Sequence, residues 1–134
     1  MSKKINKVFV YGTLKVGGFF GDKFNKLRTS SVPGKVKGTL FHVPAFFPKS
    51  FPGLKFIGDG YVHGELHGFD RFEDVVSAID RIEQYFEDYP EESMYLRREA
   101  IVETEKGAEK AYVYEYNGDV DDFEVVKDGT WIID

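Results

Sequence analysis

Apolar and polar positions alternate, cluster or recur along this chain in patterns that mark its elements. Ile5 to Val10, ending in Val8-Phe9-Val10, reads as a mostly buried strand that breaks into a glycine-containing loop, Tyr11–Gly18. Lys35 to Val43 alternates as a second strand, with Val36, Gly38 and Leu40 on one side, and Tyr61 to Phe69 alternates strictly as a third. Phe72, Val75, Val76, Ile79, Ile82 and Phe86 recur at three- and four-residue spacing, which predicts a helix over 70–87 with Asp70 as its N-cap. Tyr95–Thr104 and Ala108–Tyr116 then pair as a hairpin across Glu105-Lys106-Gly107.

The connections are less regular. Residues 19–34 are mixed, with a short helical piece around Phe24–Leu27 and a turn at Pro33-Gly34. Pro44 to Gly60 carries three prolines and reads as loop with a short extended piece. Its Phe46, Phe47, Phe51 and Phe56 suit a substrate wall or a partner surface. Asp88 to Met94 is an acidic loop around Pro90. The tail from Gly118 to Asp134 starts acidic and ends in Trp131-Ile132-Ile133, a short strand or packing anchor. Strands are not regularly separated by helices, so a doubly wound parallel sheet is excluded. The expected class is α+β: a small mixed, barrel-like sheet with one long helix against one opening.

Composition narrows the partners. The 134 residues fit one domain, 1–134, and the 16% aromatic share is enough to fill a small core. A net charge of −5 with interspersed signs argues against a nucleic-acid partner, which needs a basic face. Lys3-Lys4 is followed by strand residues rather than a signal-type apolar core, and no apolar run could cross a bilayer, so no membrane partner is expected. With no cysteine, disulfides, thiolate chemistry and Cys-ligated zinc are excluded, which fits a cytoplasmic location. Aromatic surface leaves a monomer or a weak homodimer open.

At roughly 100° per residue, Glu83 lies about 20° from the line through Phe72, inside the helix's apolar stripe, with Asp80 at the stripe's edge. A carboxyl there either loses hydration or looks into a cavity. Burial and a nearby helix C-terminus would both raise its pKa, as a general base near neutral pH requires. Equally, the helix could be leaving the core at its last turn, with Glu83 exposed. Gly12-x4-Gly17-Gly18 begins like a phosphate loop, but Phe19 stands where the Lys and Ser/Thr would follow, so nucleotide hydrolysis is set aside. What remains is a turn whose backbone N–H groups could face a carboxylate, or a plain strand-to-loop turn. His63, Glu65 and His67 share one face of the third strand, at a spacing that suits either a metal or a solvated face. Tyr95 and Arg97 share a strand face and could offer a hydroxyl and a positive charge to an anion, or merely flank the sheet. Asp119, Asp121, Asp122 and Glu124 read as a solvated acidic loop.

These pieces together resemble the gamma-glutamylcyclotransferase-like family, including its gamma-glutamylamine cyclotransferase and avirulence-induced branches. The likeness starts at Val8-Phe9-Val10-Tyr11-Gly12-Thr13-Leu14-Lys15 and resumes at Val43-Pro44-Ala45 and Val62-His63-Gly64-Glu65-Leu66. It continues through Ile79-Asp80-Arg81-Ile82-Glu83 and Tyr95-Leu96-Arg97-Arg98. The resemblance implies a small mixed barrel that uses no metal and no organic cofactor. It implies that Tyr11, Gly12, Thr13 and Leu14 hold a substrate α-carboxylate through backbone donors, with Glu83 as the acid–base. The implied reaction closes a γ-glutamyl group to 5-oxoproline and frees an amine or amino acid. The chain departs from the pattern in having Gln84 where many relatives have glycine, a longer and more acidic 85–94 segment, and a more aromatic 44–60 loop. These departures lie where a leaving group would sit, so glutathione, γ-glutamyl amino acids, γ-glutamyl-lysine and other γ-glutamyl amines all stay open. A non-catalytic adaptor of the same fold with Phe46, Phe47 and Phe51 as its patch, and a γ-glutamyl hydrolase or transferase, are the alternatives.

Overall fold

Val8, Phe9 and Val10 are all buried, because strand β1 (Lys7–Val10) is covered on both faces. Successive side chains point to opposite faces of a strand. Phe9 accordingly joins Val36, Val62, Leu66, Val102 and Val113 in one apolar cluster, while Val8 and Val10 join Val75, Val76 and Ile79 of the helix in another. A computed structural model of the chain describes residues 4–44 and 50–132. Ala45, Phe46 and Phe47, together with Lys3 and Ile133, lie outside the described residues.

The strands are β1, β2 (Arg28–Lys37), β3 (Thr39–Pro44), β4 (Ser50–Lys55), β5 (Tyr61–Phe69), β6 (Tyr95–Thr104) and β7 (Gly107–Tyr116). Five of them close a barrel in the order β1-β5-β2-β6-β7, and β3 and β4 form a separate two-stranded sheet. All barrel pairs are antiparallel except β1 with β7, joined in parallel at Val8↔Tyr112, which makes the barrel mixed. The helix α1 (Phe72–Ile82) packs on the outer wall, with Phe72 stacked on Tyr112 at 6.2 Å between ring centroids. Its class is therefore the expected one, a mixed barrel-like sheet with one helix.

Several boundaries differ from the sequence reading, each for a local reason. The turn expected at Pro33-Gly34 is instead the middle of β2. Pro33 is exposed, and β6 pairs with β2 further on, at Lys35↔Glu103, so the missing N–H falls where the strand has an open side. The single strand expected over 35–43 is two strands, parted at Gly38. A Cβ there would lie 2.7 Å from the Lys55 carbonyl oxygen, so the chain can cross to β4 only without a side chain. Residues 50–55, expected as loop, form β4, whose Pro52 sits opposite His42. The helical piece near Phe24–Leu27 is a 3-10 turn over Gly21–Phe24. The tail makes isolated bridges, Phe41↔Val125 and His63↔Thr130, and Trp131 packs against the barrel core.

The helix is shorter at both ends than its periodicity suggests. Asp70 does not cap it: its N–H donates to the Leu27 carbonyl at 2.7 Å, and Arg71, with φ 53°, precedes the first turn. At the other end Gln84 takes φ 55°. Its N–H donates to the Arg81 carbonyl (3.2 Å) and the Tyr85 N–H to the Asp80 carbonyl (2.9 Å), the bonds of a Schellman stop. This left-handed conformation strains any residue with a Cβ. Gln84→Gly is therefore expected to raise unfolding stability by roughly 0.5–1 kcal/mol. A urea midpoint that stays put or falls would contradict that assignment of strain.

Candidate active site

The end of β1 is fixed before the loop begins. The Tyr11 hydroxyl is buried, donates to the Tyr114 carbonyl at 2.7 Å and accepts the Leu54 N–H at 3.3 Å, tying β1 to β7 and β4. The chain then turns within van der Waals range of β4. A Cβ on Gly12 would sit 2.5 Å from Pro52 Cγ, so only glycine allows the approach. The turn is closed by Lys15 N–H to the Gly12 carbonyl (3.0 Å). Phe20 and Gly21 N–H groups both donate to the Thr13 carbonyl, at 3.0 and 2.8 Å. The N–H groups of Gly12, Thr13 and Leu14 donate to no acceptor among the described residues.

Outside the cavity the same loop is braced by groups that sequence reading had set aside. Val16 N–H donates to Glu65 Oε1 at 2.9 Å, and that oxygen lies 2.9 Å from His67 Nε2. Arg28 Nε donates to His67 Nδ1 (3.3 Å), and its Nη2 donates to the Gly21 carbonyl (2.6 Å). His67 is fully buried, and burial lowers its pKa, with the Arg28 charge adding to the fall against the pull of Glu65. A neutral ring that accepts from Arg28 at Nδ1 must carry its proton on Nε2 and donate to Glu65. His63 is exposed and takes no part, so the alternating His63, Glu65 and His67 divide between solvent and a brace under the loop. Among the described residues no group of three or more His, Asp or Glu side chains is placed to hold a metal ion. Asp119 accepts the Asp121 N–H at 2.9 Å, a turn contact within the acidic loop.

Glu83 is the C-cap of α1 and, with Tyr11, Gly12, Thr13 and Leu14, lines one cavity of about 350 Å³. Its carboxyl is only partly open and takes no hydrogen bond or ion pair from the described residues. Burial alone pushes its pKa up to about 8. Tyr95 also lines the cavity; its hydroxyl donates to the Pro52 carbonyl at 2.7 Å, holding β4 over the site. Burial raises the phenols of Tyr11, Tyr95 and Tyr114, and the Glu83 carboxylate adds to the rise in all three.

Arg97 is not on the cavity wall. Its Nη1 donates to Asp80 Oδ2 at 2.7 Å, and its guanidinium lies over the rings of Tyr112 and Tyr85. The Tyr114 hydroxyl donates to the other Asp80 oxygen. Burial raises the Asp80 pKa, while the bonds from Tyr114 and Arg97 oppose the rise. The positive charge expected to face an anionic ligand is thus spent on the residue one turn before Glu83. Asp80, Tyr114, Lys15 and Trp131 were not read as site residues. The signal for Asp80 was its three-residue spacing from Glu83 on one helix face. Lys15 is buried and donates to the Trp131 carbonyl at 2.7 Å, bringing Trp131 to the cavity wall, and only the fold reveals that pairing.

The family described as Gamma-glutamyl cyclotransferase, AIG2-like matches residues 8–132. Among solved structures, YkqA from Bacillus subtilis is 25% identical with a TM-score of 0.68; the match covers 96% of this chain but 40% of that one. An AIG2-like protein from Mus musculus is 24% identical with a TM-score of 0.66, over 87% of this chain and 81% of its own. YtfP from Escherichia coli is 22% identical with a TM-score of 0.59, over 94% and 96%. The likenesses below 25% identity speak for a shared fold. No curated protein matches the chain at a significant level.

A carboxyl held neutral by burial makes stability depend on pH with a definite sign. Between its ordinary value, 4.5, and about 8 the unfolded chain has released a proton that the folded chain keeps. Stability therefore falls as pH rises through that window and levels off above it. Glu83→Gln removes this cost. It is expected to stabilise the fold by a few kcal/mol near pH 9 and by little near pH 5. Denaturant melts at the two pH values with an equal gain at both would show that Glu83 is not desolvated.

Proposed function

The chain belongs to the gamma-glutamyl cyclotransferase, AIG2-like family, and from that premise we propose that it converts a γ-glutamyl amine or amino acid to 5-oxoproline and the free amine. What carries the reading is one observation: a single cavity is lined both by an unpaired carboxyl and by the loop whose N–H groups lack acceptors. Gly12, Thr13 and Leu14 supply those donors to the substrate's α-carboxylate, an anion held by backbone dipoles alone. That places the α-ammonium within reach of Glu83. The carboxylate takes a proton from the ammonium, and the freed amine attacks the γ-carbonyl carbon. As the bond from that carbon to the leaving nitrogen breaks, Glu83 delivers the proton to the departing amine. The ring nitrogen keeps one hydrogen, and its remaining proton leaves by the same carboxyl.

Matching of proton affinities favours this scheme. An α-ammonium loses its proton near 8, so transfer to an ordinary carboxylate of about 4.3 would be uphill by roughly 5 kcal/mol. At about 8, Glu83 exchanges that proton nearly evenly. Nucleophile and electrophile belong to one molecule, so the site need only fold the glutamyl chain and move protons. Tyr95 acts through position, since its hydroxyl is committed to Pro52, and Arg97 through Asp80. No metal or organic cofactor enters the scheme.

Two outcomes are expected. With a panel of γ-glutamyl compounds followed by mass spectrometry, the wild-type protein forms 5-oxoproline. Glu83→Gln loses turnover by roughly 10²–10⁴-fold with an unchanged circular dichroism spectrum. Release of glutamate instead would turn the reading toward a hydrolase, and silence across the panel toward an adaptor. One proton must be shared between Glu83 and the substrate amine, so kcat/KM should be bell-shaped and centred near pH 8. A plateau from about pH 5.5 to 7.5 would instead indicate a base of ordinary carboxylate pKa.

A further inference from the structure

We infer that the leaving group is an uncharged, apolar amine, so that the preferred substrates are γ-glutamyl amides whose departing amine bears no carboxylate. The inference rests on the cyclotransferase reading and narrows it. A γ-glutamyl group brings two charges into the cavity, an α-carboxylate and an α-ammonium. The complements available to them are the three free N–H groups of the loop and the Glu83 carboxyl, and these two are then used up. Among the described residues no Lys, Arg or His lines the cavity, and Glu83 is its sole ionisable carboxyl. The rest of the wall includes Phe20, Phe51, Met94 and Trp131.

The nearby cations are committed elsewhere. Lys15 Nζ donates to the Trp131 carbonyl at 2.7 Å, and Arg97 Nη1 to Asp80 at 2.7 Å. Lys55 Nζ donates to the Tyr116 carbonyl at 2.9 Å and Arg28 Nη2 to the Gly21 carbonyl at 2.6 Å. A leaving amino acid would therefore bring its carboxylate out of water against aromatic and thioether surface. It would meet no counter-charge there, and the Glu83 carboxylate would repel it. An apolar amine on the same wall instead removes hydrocarbon from water at no electrostatic cost. A cavity of about 350 Å³ is at the small end for ligand sites, which suits a compact amine rather than a peptide.

Two compounds differing by one group test this: γ-glutamyl-phenethylamine and γ-glutamyl-phenylalanine, the second carrying an added carboxylate. 5-Oxoproline formation is measured for each with the wild-type protein across substrate concentration. The phenethylamine compound is expected to have the higher kcat/KM, by roughly tenfold or more. Direct binding to the Glu83→Gln variant should show the same order of affinity. Equal or reversed kcat/KM, with 5-oxoproline formed, would overturn the inference and leave the cyclotransferase reading standing. No 5-oxoproline from either compound or from the wider panel would remove that reading, and the inference with it.

Discussion

A carboxyl meant to change protonation state near neutral pH must not be given a cation, and the last turn of α1 is organised around that constraint. Arg97 stands close enough to the helix end to have paired with an acid there, and it does, but with Asp80. The Tyr114 hydroxyl takes the second Asp80 oxygen. Glu83, three residues on, is left with burial alone acting on it, and its pKa rises to about 8. Had the guanidinium reached Glu83, the attraction would have held the carboxyl ionised and its pKa low. Two acids on one helix face thus have opposite environments, a division that commonly marks which group anchors and which one titrates.

The loop opposite obeys a complementary constraint: its N–H groups can stay free only if everything else about it is tied. The Tyr11 hydroxyl secures the strand end, and the Thr13 carbonyl accepts two N–H groups from the returning chain. Glu65, neutral His67 and Arg28 brace the far side through Val16 and Gly21. Because these bonds all point away from the cavity, the turn is held without using the donors that face it. Unpaired buried donors are costly unless something fills them, so such a loop reads as preorganised for an anion rather than as slack backbone.

Strand β5 and the β6–β7 hairpin were legible because their alternation is long and their ends carry turn residues. The apolar face of α1 was legible from its period, and Glu83's place on that face from simple geometry. What stayed hidden depends on neighbours. The passage of β2 through Pro33-Gly34 needs an open strand side, and β4 needs β3 to pair with, and neither condition is local to those residues. The helix end was misplaced because Phe86 continues the apolar spacing beyond Ile82, although the chain has already turned at Gln84. Tyr95 and Arg97 were correctly put on one strand face. Only the fold shows that Asp80 intercepts the guanidinium while Tyr95 continues to the cavity.

The turn at Gln84 connects the helix's stability to the site. A left-handed residue with a Cβ is costly, and such strain persists where surrounding bonds overdetermine it. Here the Schellman bonds from Gln84 and Tyr85, together with the Met94 N–H donating to the Gln84 carbonyl at 3.0 Å, hold the segment closed. Stopping the helix at Ile82 makes Glu83 a C-cap, with its side chain beside the last, unpaired carbonyls of the helix. Those partial negative charges disfavour an ionised carboxyl in the same sense as burial does. One more helical turn would have carried Glu83 along the outer wall. The strained stop is therefore part of what turns the carboxyl toward the loop.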